Sequence, residues 1–459
     1  MIVITDKIQN YKDSIKGKRI SVCGIGVSNL PLIDFLLSAG SSVTARDMKE
    51  KQALGEIAYS LEEKGVRLIC GKEYLDNIDD EIIFRTPGLR YDKQGFVDAI
   101  KKGAVLTSEM QVFFDLCPCK IIAVTGSDGK TTTTTLISEI LKAGGKKVWL
   151  GGNIGKPLLP DVDKMSEEDF AVVELSSFQL HTMTSSPEIA VITNISPNHL
   201  DYHTDYQEYI DAKKNIYRHR KNIKLITNAE NSITLEMAKE VKDNVTFFSS
   251  KNKSDIYEED GVIYVNSEKA LETKDILLPG IHNVENYMAA IGATSEFVDK
   301  TAFTKVATTF KGVEHRLEYV TEKNGIRFYN GSIDSTPTRT MAALSAFKER
   351  NLVVICGGYD KNLDYSPLAP VMAEKAKCVV LTGACADKIK KAFDECKEFD
   401  TQKTIVKEVC DFDEAVITAY KSAEKGDIVL LSPAAASFDR FKNFEIRGRH
   451  YKDIVLNRI

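Results

Sequence analysis

The chain has 459 residues, a length that suggests two or three domains. Apolar residues make up 43% and charged residues 28%, the composition of a globular chain able to bury a large core. Lys and Arg total 61 against 66 Asp and Glu, and the net charge of -5 excludes a general nucleic-acid-binding surface while leaving room for a local phosphate site. No apolar run approaches the ~18 residues of a membrane span, and charges interrupt the N-terminal MIVITDKIQNYKDSIKGKRI, which lacks a signal-peptide core. The nine cysteines form no CxxC, and their number is odd. They read as reduced cytosolic thiols, mostly small core residues, and not as a disulfide frame or zinc site.

Apolar runs, glycine turns and amphipathic helices alternate along the chain, the mark of βαβ units and parallel sheets. Residues 18–23 predict a strand, followed by Gly24-Ile25-Gly26 and a helical pattern from Leu30 to Leu37. Strands are expected at Ser42–Ala45, with the segment ending at Asp47, and at Glu81–Phe84, running into Thr86-Pro87-Gly88. These form a small Rossmann-like unit over residues 1–105. A strand at Lys120–Val124 opens a central unit, 106–312, with further strands at Phe170–Glu174, Ala190–Asn194 and Lys224–Thr227. A third unit, 313–459, starts its strands at Ile326–Tyr329 and continues with Leu352–Cys356, Cys378–Leu381 and Asp427–Leu431. The expected fold is three α/β domains: two Rossmann-like ones flanking a P-loop-type parallel sheet.

Five constellations carry chemistry. Gly24-Ile25-Gly26-Val27-Ser28-Asn29, with Asp47 some 20 residues on, suits a nucleotide diphosphate. Asn29 stands where a third glycine would be, so a tight turn without a ligand is an equal reading. Thr125-Gly126-Ser127-Asp128-Gly129-Lys130-Thr131 is a short ATP phosphate loop between strand and helix, in which Lys130 neutralises phosphates and the Thr131 hydroxyl reaches Mg²⁺. Glu174, just past a buried strand, is placed to hold magnesium. His199, in TNISPNHLD, follows a strand end and suits a cation or substrate, although a lone His is more often structural. Lys213 gains no role from composition. Finally, Ser432 to Phe444, Lys361 and Ser335 suit a small anionic substrate, or else Ser432 and Ser437 simply cap a helix.

Together TGSDGKTT, GGNIG at 151–155, ELSSFQL at 174–180, TNISPNHLD at 193–201, HNVENYMAA at 282–290, HR at 315–316 and SPAAASFDRFKNFEIRG at 432–448 resemble the Mur ligases. The C-terminal stretch is similar to the branch of that family that adds D-glutamate in peptidoglycan synthesis. The resemblance implies a cytoplasmic, ADP-forming amide ligase that uses ATP, UDP-N-acetylmuramoyl-L-alanine and D-glutamate. It implies ATP on Gly126, Ser127, Asp128, Gly129, Lys130, Thr131 and Thr132, with Asn286 and Arg316 near adenine and ribose. The UDP precursor falls to Ser28, Asn29, Asp47, Thr86, Gly88, Asn153, Ser176 and Gln179. D-glutamate falls to Ser335, Lys361, Ser437 and Phe444. Two Mg²⁺ ions are implied on Thr131, Glu174, His199 and a Lys213 carbamylated by CO₂; Lys130, Glu174, His199 and Lys213 are then the catalytic group. No nucleic-acid or membrane partner is expected, and no heptad or long apolar patch asks for an oligomer.

Four positions depart from that family's pattern. Asp128 stands where Asn is usual, Asn198 where Asp is, Gly331 where Asp is, and Asp334 where Ala is. These departures keep a non-catalytic nucleotide sensor among the alternatives. A folylpolyglutamate-type ligase is another, but it would lack the 432–448 stretch and the Gly24-led domain. A nicotinamide-dependent oxidoreductase, read from Gly24-Ile25-Gly26 and Asp47, is opposed by the missing third glycine and by the phosphate loop.

Overall fold

The computed structural model describes residues 2–26 and 29–459, with side chains from residue 7 onward. Three parallel-rich α/β sheets follow one another along the chain. The first contains β1 (Arg19–Cys23), β2 (Ser42–Asp47), β3 (Arg67–Cys70), β4 (Ile82–Arg85) and β5 (Val105–Thr107), all parallel, in the order β3-β2-β1-β4-β5. The order reverses beside β1, and α/β ligand crevices form where it does so.

The second sheet contains β6 (Lys120–Thr125), β7 (Val148–Gly152), β8 (Phe170–Glu174), β9 (Ile189–Ile192), β10 (Lys224–Asn228), β11 (Val245–Ser249), β12 (Ile256–Glu259), β13 (Val262–Val265) and β14 (Glu268–Glu272). Its order is β14-β13-β12-β11-β10-β9-β6-β8-β7. The third contains β15 (Glu318–Lys323), β16 (Ile326–Asn330), β17 (Leu352–Cys356), β18 (Ala376–Leu381), β19 (Ile405–Glu408) and β20 (Ile428–Leu431), in the order β15-β16-β20-β17-β18-β19.

The central strands are apolar from end to end because helices cover both faces. Every residue of β8, β9, β17 and β20 is buried. The chain divides into two compact units. One is Met1–Leu271 with Glu285–Phe303; the other is Glu272–Val284 with Thr304–Ile459. The first unit holds the first two sheets, and the second holds the third.

Two hairpins correct the sequence reading. β15 precedes Ile326–Asn330 and pairs with it antiparallel, so the third sheet starts earlier than expected. β12 and β13 form the other. Their turns are Asn324-Gly325 and Asp260-Gly261, each with positive φ at both residues, the signature of tight two-residue hairpins. Other boundaries move by a residue or two. All nine cysteines are free; five are buried, three are half-buried and Cys410 is exposed.

Candidate active site

Strand register sets the phosphate loop. Val124 of β6 lies level with Glu174 of β8, and Thr125 with Ile192 of β9. The next residues of these strands therefore leave the sheet together. The loop 126–129 runs straight into the helix Lys130–Ala143, whose N-cap, Gly129, is left-handed at φ 77°. A Cβ on Gly126 would stand 1.9 Å from Thr193 Oγ1, and one on Gly129 would stand 2.4 Å from Asn286 Oδ1. Both glycines let the backbone pass where a side chain cannot. Lys130 Nζ donates to the carbonyls of Gly126 and Ser127, at 2.9 and 2.8 Å, and so curls over the loop. Asn286 also accepts from Thr133 Oγ1 at 3.1 Å, which ties the helix Ile281–Thr294 to the helix that follows the loop.

The loop is buttressed from the β9 side. Thr193 Oγ1 donates to the Asp128 carbonyl, and the Asp128 amide donates to Asn194 Oδ1. Ser127 Oγ donates to the Ser196 carbonyl at 2.9 Å and lies 2.8 Å from the Tyr209 hydroxyl. The Asp128 side chain itself is exposed.

Lys213 lies directly beneath this loop on the helix Tyr206–Arg218. It is only 1% exposed. Its Nζ donates to Thr125 Oγ1 at 3.2 Å and to the Gly126 carbonyl at 2.8 Å, and it sits 4.8 Å over the Tyr209 ring. Burial, with Lys130 nearby, lowers its pKa well below the usual lysine value. A neutral amine has two N–H groups, and these two bonds use both while leaving the lone pair. His199, exposed and at φ 55°, packs its ring edge against Phe178. Partial burial, with Lys130 and Lys213 nearby, lowers its pKa.

Glu174 is 1% exposed. Asn153 Nδ2 donates to its Oε1 at 2.7 Å, and the Asn153 amide donates to the Glu174 carbonyl at 2.8 Å. Glu174 Oε2 is buried with no hydrogen-bond partner among the described residues. A buried carboxylate oxygen left unpaired is costly unless a cation takes it. The donor set therefore fits a divalent ion, with the Thr131 hydroxyl on the adjacent helix turn. Ser176 and Gln179 are occupied locally: they form a reciprocal capping box on the turn Ser177–Leu180.

In the first sheet, Cys23, Arg46 and Arg85 lie in one row, so Gly24, Asp47 and Thr86 emerge side by side. Asp47 Oδ2 accepts from the Ile25 amide at 2.6 Å. Asn29 is buried and donates its Nδ2 to the Gly24 carbonyl at 2.7 Å. A Cβ on Gly24 would stand 2.7 Å from Thr86 Cγ2. Gly88 follows in the same turn, and Ser28 lies outside the described residues.

In the third sheet, Asn330, Leu431 and Ile355 share a row. The loops after β16, β20 and β17 therefore leave together, carrying Ser335, Ser437 and Lys361 respectively. Lys361 Nζ lies 5.9 Å over the Phe438 ring. The Phe444 carbonyl accepts from Ser332 Oγ at 2.8 Å. Arg316, exposed, follows the buried His315, whose Nδ1 lies 3.0 Å from Asn330 Nδ2. Asp334 Oδ2 accepts from Ser432 Oγ at 2.8 Å. A Cβ on Gly331 would stand 2.5 Å from that same Asp334 oxygen. The Asp334 carboxylate thus fills the space into which a residue-331 side chain would project.

The Mur ligase middle domain matches residues 124–294, and the Mur ligase glutamate ligase domain matches residues 315–435. A UDP-N-acetylmuramoylalanine–D-glutamate ligase of Acetivibrio thermocellus is 49% identical over 98% of both chains. The corresponding Clostridium perfringens ligase is 48% identical over 97% of this chain and 98% of its own. The chain belongs to the Mur ligase family. UDP-N-acetylmuramate-alanine ligase from Thermotoga maritima, at 21% identity and a TM-score of 0.58, covers 96% of this chain and 100% of its own; it shares the fold.

This Mur ligase also uses residues that its sequence did not single out. Arg85 donates to the carbonyls of Pro87 and Leu89 and to Thr182 Oγ1, joining the 86–88 turn to the central sheet. Arg90 pairs with Asp92 and Glu208, and its guanidinium pulls the Glu208 carboxyl down to about 2. Glu208 in turn faces His203 and His181; these three groups offer ligand atoms within 4.8 Å of one another. His203 is already satisfied on both nitrogens, by Glu208 and by Ser177, so the cluster reads as a structural tie. Only Asp92 is close in sequence; Thr182 and Glu208 lie 97 and 118 residues from their arginines, and the remaining acceptors are backbone carbonyls, so no short-range signal marks these ties.

Proposed function

We propose that this Mur ligase joins the amine of D-glutamate to the carboxylate of UDP-N-acetylmuramoyl-L-alanine in peptidoglycan precursor synthesis. The observation that carries this reading is the match along nearly the whole chain to ligases named for that reaction. In the scheme that follows, residues 1–105 hold the UDP precursor, 106–312 hold ATP and 313–459 hold D-glutamate. The enzyme works as a monomer in the cytoplasm. Among the described residues, no helix is long and apolar enough to cross a membrane.

A carboxylate is a poor electrophile, so the reaction runs in two steps. An oxygen of the substrate carboxylate attacks the γ-phosphorus of ATP, and ADP leaves. The D-glutamate amine then attacks the acyl carbon, its nitrogen loses a proton, and phosphate leaves with the bonding pair. Lys130 and the loop amides hold the phosphates and offset charge as it moves between oxygens. Gly126 and Gly129 give the loop its close approach. Asn286 and Arg316 receive the adenosine. Asn29, Asp47, Thr86 and Gly88 hold the nucleotide diphosphate, with Ser176 and Gln179 toward the muramoyl end.

Glu174 and Thr131 would hold one Mg²⁺, and Asn153 keeps the Glu174 carboxylate aimed. His199 and Lys213 would serve a second. When bound, these ions supply charge neutralisation on the transferring phosphoryl group. The Lys213 amine, whose pKa burial lowers, adds to CO₂ as the free base; one proton leaves and a carbamate anion results.

The test is phosphate release from the purified chain with ATP and Mg²⁺, adding UDP-N-acetylmuramoyl-L-alanine and D-glutamate singly and together. Release that requires both, and is lost with L-glutamate, is the expected result. ATP binding without release would overturn the catalytic reading and favour a nucleotide sensor. The carbamate is checked by ¹³C NMR after ¹³CO₂ labelling, with a signal expected in the parent chain and absent in Lys213→Arg.

A further inference from the structure

Arg447 has no part in the scheme above, yet it is among the largest fully buried side chains, at 2% exposure. It sits in the first turn of the helix Phe444–Asn457. Its Nε donates to Ser332 Oγ at 3.1 Å, and its Nη2 donates to the Ser332 carbonyl at 2.9 Å and the Ala435 carbonyl at 3.1 Å. Its Nη1 donates to the Ala436 carbonyl at 3.1 Å. Every one of these acceptors is a neutral oxygen. Burying a guanidinium without a carboxylate on its fork is expensive, and burial pulls its pKa down to about 10.

Those acceptors belong to two of the loops at the end of the third sheet. The third loop closes on the same point. A Cβ on Gly358 would stand 2.3 Å from the Ala436 carbonyl and 3.1 Å from Arg447 Nη1. The Gly357 amide donates to the Pro433 carbonyl, and the Tyr359 amide to the Ala436 carbonyl, each at 2.8 Å. The segments carrying Ser335, Ser437 and Lys361 thus converge on one guanidinium.

We propose that Arg447 is a positioning residue for the amino-acid substrate, its planar fork fixing the loops after β16, β20 and β17 in one arrangement before that substrate binds. The inference rests on the D-glutamate reading only for what the loops hold. Arginine is required because its donors diverge in a plane and reach Ser332 on one side and Ala435 and Ala436 on the other. A lysine is a point donor and cannot bridge both. Preorganised loops spare the substrate the ordering that binding otherwise demands.

The experiment compares the full-length parent chain with Arg447→Lys and Arg447→Met. Amide hydrogen exchange is followed over residues 332–335 and 433–437, and KM is measured separately for ATP and D-glutamate. In Arg447→Lys both loops are expected to lose about tenfold or more in protection while β17 and β18 keep theirs. KM for D-glutamate is expected to rise about tenfold or more, with KM for ATP moving less than about twofold. Unchanged protection in the loops, faster exchange across the whole third sheet, or equal shifts in both KM values would overturn the proposal. If the parent chain shows no D-glutamate-dependent turnover, the functional reading fails instead, and the exchange measurement alone decides the role of Arg447. Arg447→Met, with similar bulk and no donors, should open the same two loops, and with them the loop after β17 that rests on the Ala436 carbonyl, while β17 and β18 stay protected.

Discussion

Asp334 offers the sharpest quantitative test, because its charge is buried beside a glycine that has to stay small. The carboxyl is 7% exposed, and burial raises its pKa from 3.8 to about 7, against the opposing pull of Ser432 and of Arg316, Arg339 and Arg447. Between those two pH values the folded chain keeps a proton that the unfolded chain releases. The stability linked to that proton is complete below pH 3.8 and is lost as pH rises through about 7. The whole shift corresponds to about 4 kcal/mol, of which about 3 kcal/mol falls between pH 5 and pH 8. Asp334→Asn keeps an acceptor for Ser432 Oγ and cannot ionise. Denaturant unfolding of the parent chain and of Asp334→Asn, side by side at pH 5 and pH 8, reads the difference. The variant should gain on the parent as pH rises, by up to about 3 kcal/mol. A stability gap that stays constant with pH would refute the claim that a buried, ionising Asp334 destabilises the fold. The carboxylate also occupies the space next to Gly331, so Gly331→Asp alone should unfold or distort this loop, whereas Gly331→Asp with Asp334→Ala should be tolerated. Asp334→Ala by itself should raise the apparent KM for ATP if its carboxylate replaces the one missing at 331; an unchanged KM would remove that idea.

Gly126→Ala should abolish ATP binding measured by calorimetry, since its Cβ would lie 1.9 Å from Thr193 Oγ1 at φ 146°. Tight ATP binding by that variant would mean the loop is not the phosphate cradle. Asn153→Ala removes the only side-chain hydrogen bond to Glu174 Oε1 among the described residues, and should raise the Mg²⁺ concentration needed for half-maximal phosphate release by about tenfold. An unchanged Mg²⁺ titration would detach Glu174 from the metal. Asp128→Asn takes an exposed negative charge away from the phosphate loop and should tighten ATP binding severalfold, more so at low salt. An affinity that does not move with this substitution would show the charge to be screened.

The three-sheet architecture was legible because its signals are local. Short apolar, β-branched runs such as Phe-Ala-Val-Val and Leu-Val-Val-Ile, bounded by turn residues, suit buried parallel strands, and the turns that follow them mark the ends where ligands gather. Gly126, Gly129 and Lys130 were readable for the same reason: the tight loop they form is a contiguous piece of backbone. The Asp260-Gly261 and Asn324-Gly325 hairpins were equally local and could have been read from their dipeptides. Lys213 was different. Its residue type and spacing say only that a lysine lies on a helix, and the lowering of its pKa is a consequence of burial beneath Thr125 and Gly126, nearly 90 residues earlier. The unpaired oxygen of Glu174, the Asn153 hydrogen bond to its other oxygen, the shared space of Gly331 and Asp334, and the convergence of three loops on Arg447 also have no local signature. The sequence by itself determined the order of the elements, the glycine loop after β6 and the family. Only the tertiary structure decided which polar groups are buried, and which of those lack a partner, because desolvation depends on what packs around a group and not on its neighbours in the chain.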